Sequence, residues 1–300
     1  MKRKVIQIAD KTLVISLPNE WVRQWGIKKG EDIDVLESGP RLIVSTTQQR
    51  PMKKGVIDAS AATERTLRWL LSSLHKKGYD EIEIRSENPE HAVLIDELLK
   101  DLFLGFAVVH RSGSTCIIRS LVKELDDQLQ MIVRRTFLVT LALADQSLEL
   151  AKQKKFGELY SLLDLEKTND QLTNFCERIL NKRGLDDPVK TNFLYVIMWN
   201  MEKIADEYAD ICEYLAKSKK LSGQTAELFE ETNKLLRRYY ELFYKFDVAQ
   251  LSRLADDFKG TKARIESALE KTADARIVSH LHHIVLKTAD FSASTFALHD

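Results

Sequence analysis

The sequence predicts a multi-domain α+β chain in three parts: a small β domain, a small α/β domain and a long all-α domain. Three observations predict it. Apolar and polar residues alternate in short runs before residue 46. Strand and helix periods then alternate from 55 to about 119. From Val122 onward apolar residues recur at three- and four-residue steps to the end of the chain. The expected boundaries are 1–48, 54–121 and 123–300.

In the first part, Val5-Ile6-Gln7-Ile8 and Thr12 to Leu17 read as strands joined by a turn at Asp10-Lys11. Pro18 opens a short helix that Gly26 stops. Ile33 to Glu37 and Arg41 to Val44 read as two more strands, hinged at Ser38-Gly39-Pro40. A unit of about 45 residues seldom buries enough surface alone, so a partner is expected. Thr46 to Gly55 reads as a polar linker.

In the second part, Gly55 to Asp58 and Glu81 to Arg85 read as strands, and Ala61 to Lys77 as a helix that Gly78 caps. Asn88-Pro89 opens another helix. Phe106 to His110 and Thr115 to Arg119 form a hairpin. His75, His91 and His110 are scattered and read as core or surface residues.

In the third part, Leu125, Leu129, Ile132, Val133, Phe137, Leu141, Ala144 and Leu148 draw the first helical stripe. Further helices are expected over about 156–181, 188–217, 224–246, 248–272 and 274–298. Lys182 to Pro188 breaks the second from the third, with Gly184 ending one and Asp187-Pro188 starting the next. Three helices, a break and three more suggest a repeat, about 123–218 and 222–298.

The acids of the first repeat carry the candidate site. Glu202, Asp206 and Asp210 are spaced four apart and stack along the edge of the stripe Met201, Ile204, Ala205, Tyr208, Ile211. Glu166 and Asp170 form a second such pair upstream. Helices joined by a short loop pack antiparallel, so the two sets can face each other. Like charges at this spacing repel, and solvent or a cation must relieve them. Acidic pairs four apart also recur by chance in a chain this acidic, so the residues around them decide.

Asn200-Met201-Glu202-Lys203-Ile204-Ala205-Asp206 resembles the PhoU signature, commonly Asp-Leu-Glu-Arg-Ile-Gly-Asp. Asn200, Lys203 and Ala205 are the departures. Glu166 and Asp170 match that family's other motif, an acid, three residues, then Asp. The resemblance implies a helical bundle of two three-helix repeats that binds metal clusters through Glu166, Asp170, Glu202, Asp206 and Asp210. Iron, manganese, magnesium and zinc are the candidate ions; oxygen-only donors suit magnesium, manganese or Fe(III) best. In the second repeat, Asp257, Thr261, Leu286 and Asp290 fall opposite Glu166, Asp170, Glu202 and Asp206, so two acids are lost there. His280, His282 and His283 do not all share one helix face.

Ile15-Ser-Leu-Pro-Asn-Glu-Trp21 and Trp25-Gly-Ile-Lys-Lys-Gly-Glu-Asp-Ile-Asp-Val35 resemble the AbrB/MazE/SpoVT swapped-hairpin family. That resemblance implies a homodimer through the N-terminal domain and DNA as the partner. The charge distribution agrees. Residues 1–50 hold 9 Lys/Arg against 6 Asp/Glu, while residues 124–300 hold 25 against 29. Arg3, Lys4, Lys11 and Arg23, with Lys28 and Lys29, are the candidate phosphate contacts. Trp21 and Trp25 read as core residues.

Three isolated cysteines make no disulfide framework or zinc motif, and a reducing cytoplasm fits. The most apolar run, Phe137 to Ala144, is too short to span a bilayer, and Met1 to Lys11 lacks a signal-peptide core. No phosphate-binding glycine loop, GxSxG or HExxH is present, so no enzyme is expected. Two functions remain: a dimeric DNA-binding regulator of phosphate uptake, or an adaptor acting on phosphate-transport or signalling proteins by contact. A toxin antidote is the third, weaker reading, since antidotes carry short tails rather than a long helical domain.

Overall fold

The computed structural model describes residues 2–8, 11–46, 52–121, 128–270 and 274–299. The expected turn residue Asp10, most of the expected linker and the helix start at 122–127, with Leu125 of the first stripe, lie outside them. Met1–Met52 form one compact unit and Lys53–Asp300 another.

The N-terminal unit is two hairpins and a short helix. Strands β1 (Ile6–Ile8) and β2 (Thr12–Val14) pair antiparallel, with Ile6 opposite Val14. Strands β3 (Asp34–Ser38) and β4 (Arg41–Ser45) do the same across Gly39-Pro40. Gly39 has φ +55° and proline fixes a negative φ, the pattern of a tight hairpin turn with glycine at its first central position. Helix α1 (Asn19–Gln24) ends before Gly26, whose φ is +61°. Among the described residues of this unit none is buried. Leu13 is 69% exposed and Leu42 59%, and Val5, Ile6, Ile8, Ile15 and Val35 are also exposed. Trp21 and Trp25, read as core residues, are only half-buried.

The second unit contains two hydrophobic cores. The smaller lies in an α/β layer. Strands β5 (Lys54–Asp58), β6 (Glu81–Arg85), β7 (Phe106–Ser112) and β8 (Thr115–Ser120) form a sheet in the order β5-β6-β8-β7. The β5-β6 pair is parallel and the others antiparallel. Helix α2 (Glu64–Lys76) starts at the Thr63 cap, and α3 (Pro89–Asp101) at the Asn88 cap with proline in its first turn. His75 and His91 are buried and His110 is exposed.

The larger core lies in the helices. They are α4 (Leu129–Lys152), α5 (Leu163–Lys182), α6 (Pro188–Ser218), α7 (Gly223–Tyr244), α8 (Val248–Leu269), α9 (Ala275–Asp290) and α10 (Ser292–His299). The expected helix at 156–181 begins instead as a 3₁₀ turn over Phe156–Leu162. Leu159 and Leu162, three apart and both buried, stack on one side of that tighter spiral. The expected single helix over 274–298 breaks at Phe291. Its ring is fully buried edge-on against Tyr239, 4.5 Å between centroids. Thr288 and Ser292 each donate a hydroxyl hydrogen bond to the carbonyl four residues back, which bends helices. The α5–α6 turn forms as expected. Gly184 has φ +75°, the Leu185 N–H donates to Thr191 Oγ1, and Asp187 caps α6.

A polar seam joins the two cores. Arg178 on α5 is 1% exposed. Its Nη1 donates to the carbonyls of His75 (3.0 Å) and Tyr79 (2.6 Å), closing the C-terminal end of α2. Its Nη2 donates to Asp80 Oδ1 at 2.7 Å, and Lys182 Nζ reaches the same oxygen at 2.6 Å. The seam continues at Lys76, whose Nζ lies 2.7 Å from Glu177 Oε2 and 3.8 Å from Glu202 Oε2. Arg178→Ala removes one donor each from Asp80 and from the His75 and Tyr79 carbonyls, and leaves Asp80 with Lys182 and the Lys53 N–H. It should destabilise the Lys53–Asp300 unit by about 3–5 kcal/mol, read as a lower urea midpoint at unchanged slope.

Candidate functional site

The antiparallel α5–α6 pair brings Glu166, Asp170 and Asp206 together. One carboxylate oxygen from each lies within 4.8 Å of the other two. Glu202 joins from one turn earlier on α6. Its Oε1 accepts from Lys203 Nζ at 3.1 Å, and Lys203 also donates to Asp206 Oδ2 at 3.0 Å. Asp210, expected to belong to the same set, lies exposed at the far end of the ladder, its Oδ2 3.9 Å from His280 Nδ1. The helix turns 100° per residue, so a ladder at four-residue steps drifts off the α5 face over two turns.

Burial and mutual repulsion set the charge state. Burial first, then the Asp206 charge, pushes the Glu166 carboxyl above its usual range. Asp170 is pushed up further, by burial and by the charges of Glu166, Glu202 and Asp206. Asp206 also rises, because its burial outweighs the Lys203 hydrogen bond. Lys203 rises too, which in a base keeps the charge. Glu202 and Asp206 overcome its burial and hold its proton more tightly than in water. Lys76 is likewise raised, by Glu202 and Glu177 against its own burial.

Asp170 Oδ1 and Glu202 Oε2 are buried without a hydrogen-bond partner. Leaving such an oxygen unpaired is costly. An all-carboxylate donor set with orphaned oxygens fits a hard cation. Glu166, Asp170 and Asp206 would hold it, with Glu202 beside them. Lys76 and Lys203 were not among the expected site residues. Lys203 stood in the signature itself, in place of arginine. Lys76 left no signal, because it reaches Glu202 from another layer. Its ammonium and that of Lys203 lie 5.0 and 5.7 Å from the Trp199 ring.

At the positions expected to mirror the first set, Asp257 is paired with Arg238, Thr261 is buried, Leu286 half-buried and Asp290 exposed. Of the histidines, His280 and His283 turn toward Glu207 on α6, while His282 lies 3.5 Å from Glu266. In the N-terminal unit Arg3, Lys4, Lys11, Arg23, Lys28 and Lys29 are all exposed.

Residues 6–55 match the family described as "Antidote-toxin recognition MazE, bacterial antitoxin". The N-terminal hairpin unit is MazE/AbrB-like. No curated protein matches the chain. A solved structure, the phosphate transport system regulatory protein PhoU from Streptococcus pneumoniae, is a neighbour at a TM-score of 0.43 and 12% identity. The match covers 58% of this chain and 94% of that one. Among the described residues no helix is long and apolar enough to cross a membrane.

The raised carboxyls make a prediction about pH. The folded chain keeps protons on Glu166 and Asp170 that the unfolded chain releases at about pH 4. The folded state therefore binds more protons above that pH, and stability falls as pH rises toward neutrality. Asp170→Asn replaces the carboxyl that is pushed up furthest with a group that needs no proton. In chelator at pH 7 it should raise unfolding stability by on the order of 1 kcal/mol, and flatten the decline measured between pH 5 and 8.

Proposed function

We propose that this protein is a dimeric DNA-binding regulator of phosphate uptake, with its helical domain as a metal-binding sensor. The carboxylate cluster on α5 and α6 carries the reading. Its acids are those of the PhoU-like signature; they are half-buried, and one oxygen each of Asp170 and Glu202 has no hydrogen-bond partner. Phosphate as the regulated nutrient rests on that signature. DNA and dimerisation rest on the MazE/AbrB-like unit and its exposed apolar residues, which a second copy would cover.

In this reading the N-terminal cations contact the phosphate backbone, which gives affinity without sequence information. The metal would neutralise the cluster and stabilise the α5–α6 pair; the chain's own residues supply the donors and the compensating lysines. The protein acts as a regulator rather than as an enzyme.

Three measurements test it. In a mobility-shift titration on its own promoter, Arg3→Ala or Lys11→Ala should weaken binding across sequences and lower the salt slope by about one each. No salt-dependent shift by the wild-type chain would favour the adaptor reading. Sedimentation of the full chain at low micromolar concentration should give a dimer, and Leu13→Glu a monomer; a wild-type monomer sinks the dimer. Metal analysis after purification without chelator should find metal in the wild type and little in Glu202→Gln/Asp206→Asn. Near-zero metal in both leaves a hydrated acidic edge.

A further inference from the structure

A second set of donors lies part-way around α6, on its α9 side. Glu207 and Asp210 are three apart on that helix, so they are neighbours, both rotated in the same sense from Asp206. His280 and His283 are three apart on α9, which packs against α6. Glu207 Oε2 lies 2.6 Å from His280 Nδ1 and 3.3 Å from His283 Nδ1. Asp210 Oδ2 lies 3.9 Å from the same His280 nitrogen. The two imidazoles stand almost perpendicular, at 88°, and both direct Nδ1 toward the carboxylate.

A simple ion pair does not account for this convergence. Glu207 already has a cationic partner, because Lys287 Nζ donates to its other oxygen, Oε1, at 2.6 Å. Lys287 lies four residues beyond His283 and fixes the carboxylate, while His280 meets Oε2 and His283 lies 3.3 Å from either oxygen. Two imidazole nitrogens and two carboxylates on paired three-residue steps are the donors that zinc-class ions take.

We propose that Glu207, Asp210, His280 and His283 form a second metal site, on the α6–α9 seam, for a divalent ion of the zinc class. It is separate from the α5–α6 cluster and differs from it in donor chemistry. Tetrahedral bonds of about 2.0 Å put neighbouring donors about 3.3 Å apart. The Glu207–His283 separation of 3.3 Å already meets this. The His280–Glu207 contact must open slightly and Asp210, an exposed side chain, must swing in. Lys287 becomes the partner that orients Glu207 behind the ion.

Titration of the full chain with Co²⁺ alone, followed by visible absorption, tests the site. Wild type should show the bands of nitrogen-ligated four-coordinate Co²⁺, and Zn²⁺ should bleach them. His280→Gln/His283→Gln should lose them, and Asp170→Asn/Asp206→Asn should keep them. Asp210→Asn, at an exposed position that the fold does not need, should bind Co²⁺ at least about tenfold more weakly with unchanged circular dichroism. Absent bands in wild type, or the same bands and stoichiometry in His280→Gln/His283→Gln, overturn the proposal. Loss of the bands in Asp170→Asn/Asp206→Asn would also overturn it, by placing the ion at the other cluster.

Discussion

Burying a guanidinium costs several kcal/mol unless its N–H groups find acceptors, and Arg178 meets that condition with groups that need donors themselves. The last carbonyls of a helix have no partner within it, and the His75 and Tyr79 carbonyls close the end of α2 onto Arg178. Asp80 would otherwise be a carboxylate at the start of a buried strand. With Arg178 and Lys182 on it, its carboxyl sits below the usual range despite burial. One arginine therefore satisfies a helix end and an acid at once. That lets the α/β layer lie on the bundle although the two cores stay separate.

The same seam supplies the candidate site with charge. Lys76, the last residue of α2, reaches across to Glu177 and Glu202. The sign of charge then alternates along α6, from Glu202 to Lys203 to Asp206. Asp206 and Glu207 are adjacent, but successive residues differ by 100° around the helix. One belongs to the α5 seam and the other to the α9 seam. Tyr208 follows into the core, where its hydroxyl donates to Asn233 and the Asn233 amide donates to the Ala144 carbonyl. Three consecutive residues of α6 thus serve two charged seams and the packing between the halves of the bundle.

Much of this was legible in the sequence because it rests on period and punctuation. The Gly184–Pro188 break, the Asn88-Pro89 and Asp187-Pro188 helix starts and the Gly39 turn all carry local signals, and each forms where its residues direct. Glu166, Asp170, Glu202 and Asp206 were readable as facing pairs because a short loop forces antiparallel helices. Long-range partners were not. Lys76 meets Glu202 through the packing of two layers, and Glu207 meets His280 and His283 across 73 and 76 residues. The three histidines were read together as a set that shares no face. The pair that does share one needed the neighbouring helix to show its partner.

Charge balance ties these observations to the chemistry of the α5–α6 cluster. Glu166, Asp170, Glu202 and Asp206 carry four negative charges if fully ionised. Lys203 and Lys76 face them with two, and Lys76 is shared with Glu177. Burial first, and then this deficit, keeps protons on the acids, so Glu166 and Asp170 rise while the lysines hold their own protons more tightly. A divalent ion answers the same deficit in another way. It would displace protons from the acids it binds, so its affinity and the pH are linked. Lys203 sets the limit on that exchange. Its ammonium already spans Glu202 and Asp206, so an incoming cation must gain more from Glu166 and Asp170 than it loses to repulsion from Lys203. The buried Asp170 Oδ1, which has no hydrogen-bond partner, is where that gain is available, whereas Glu202 Oε2 already faces Lys76.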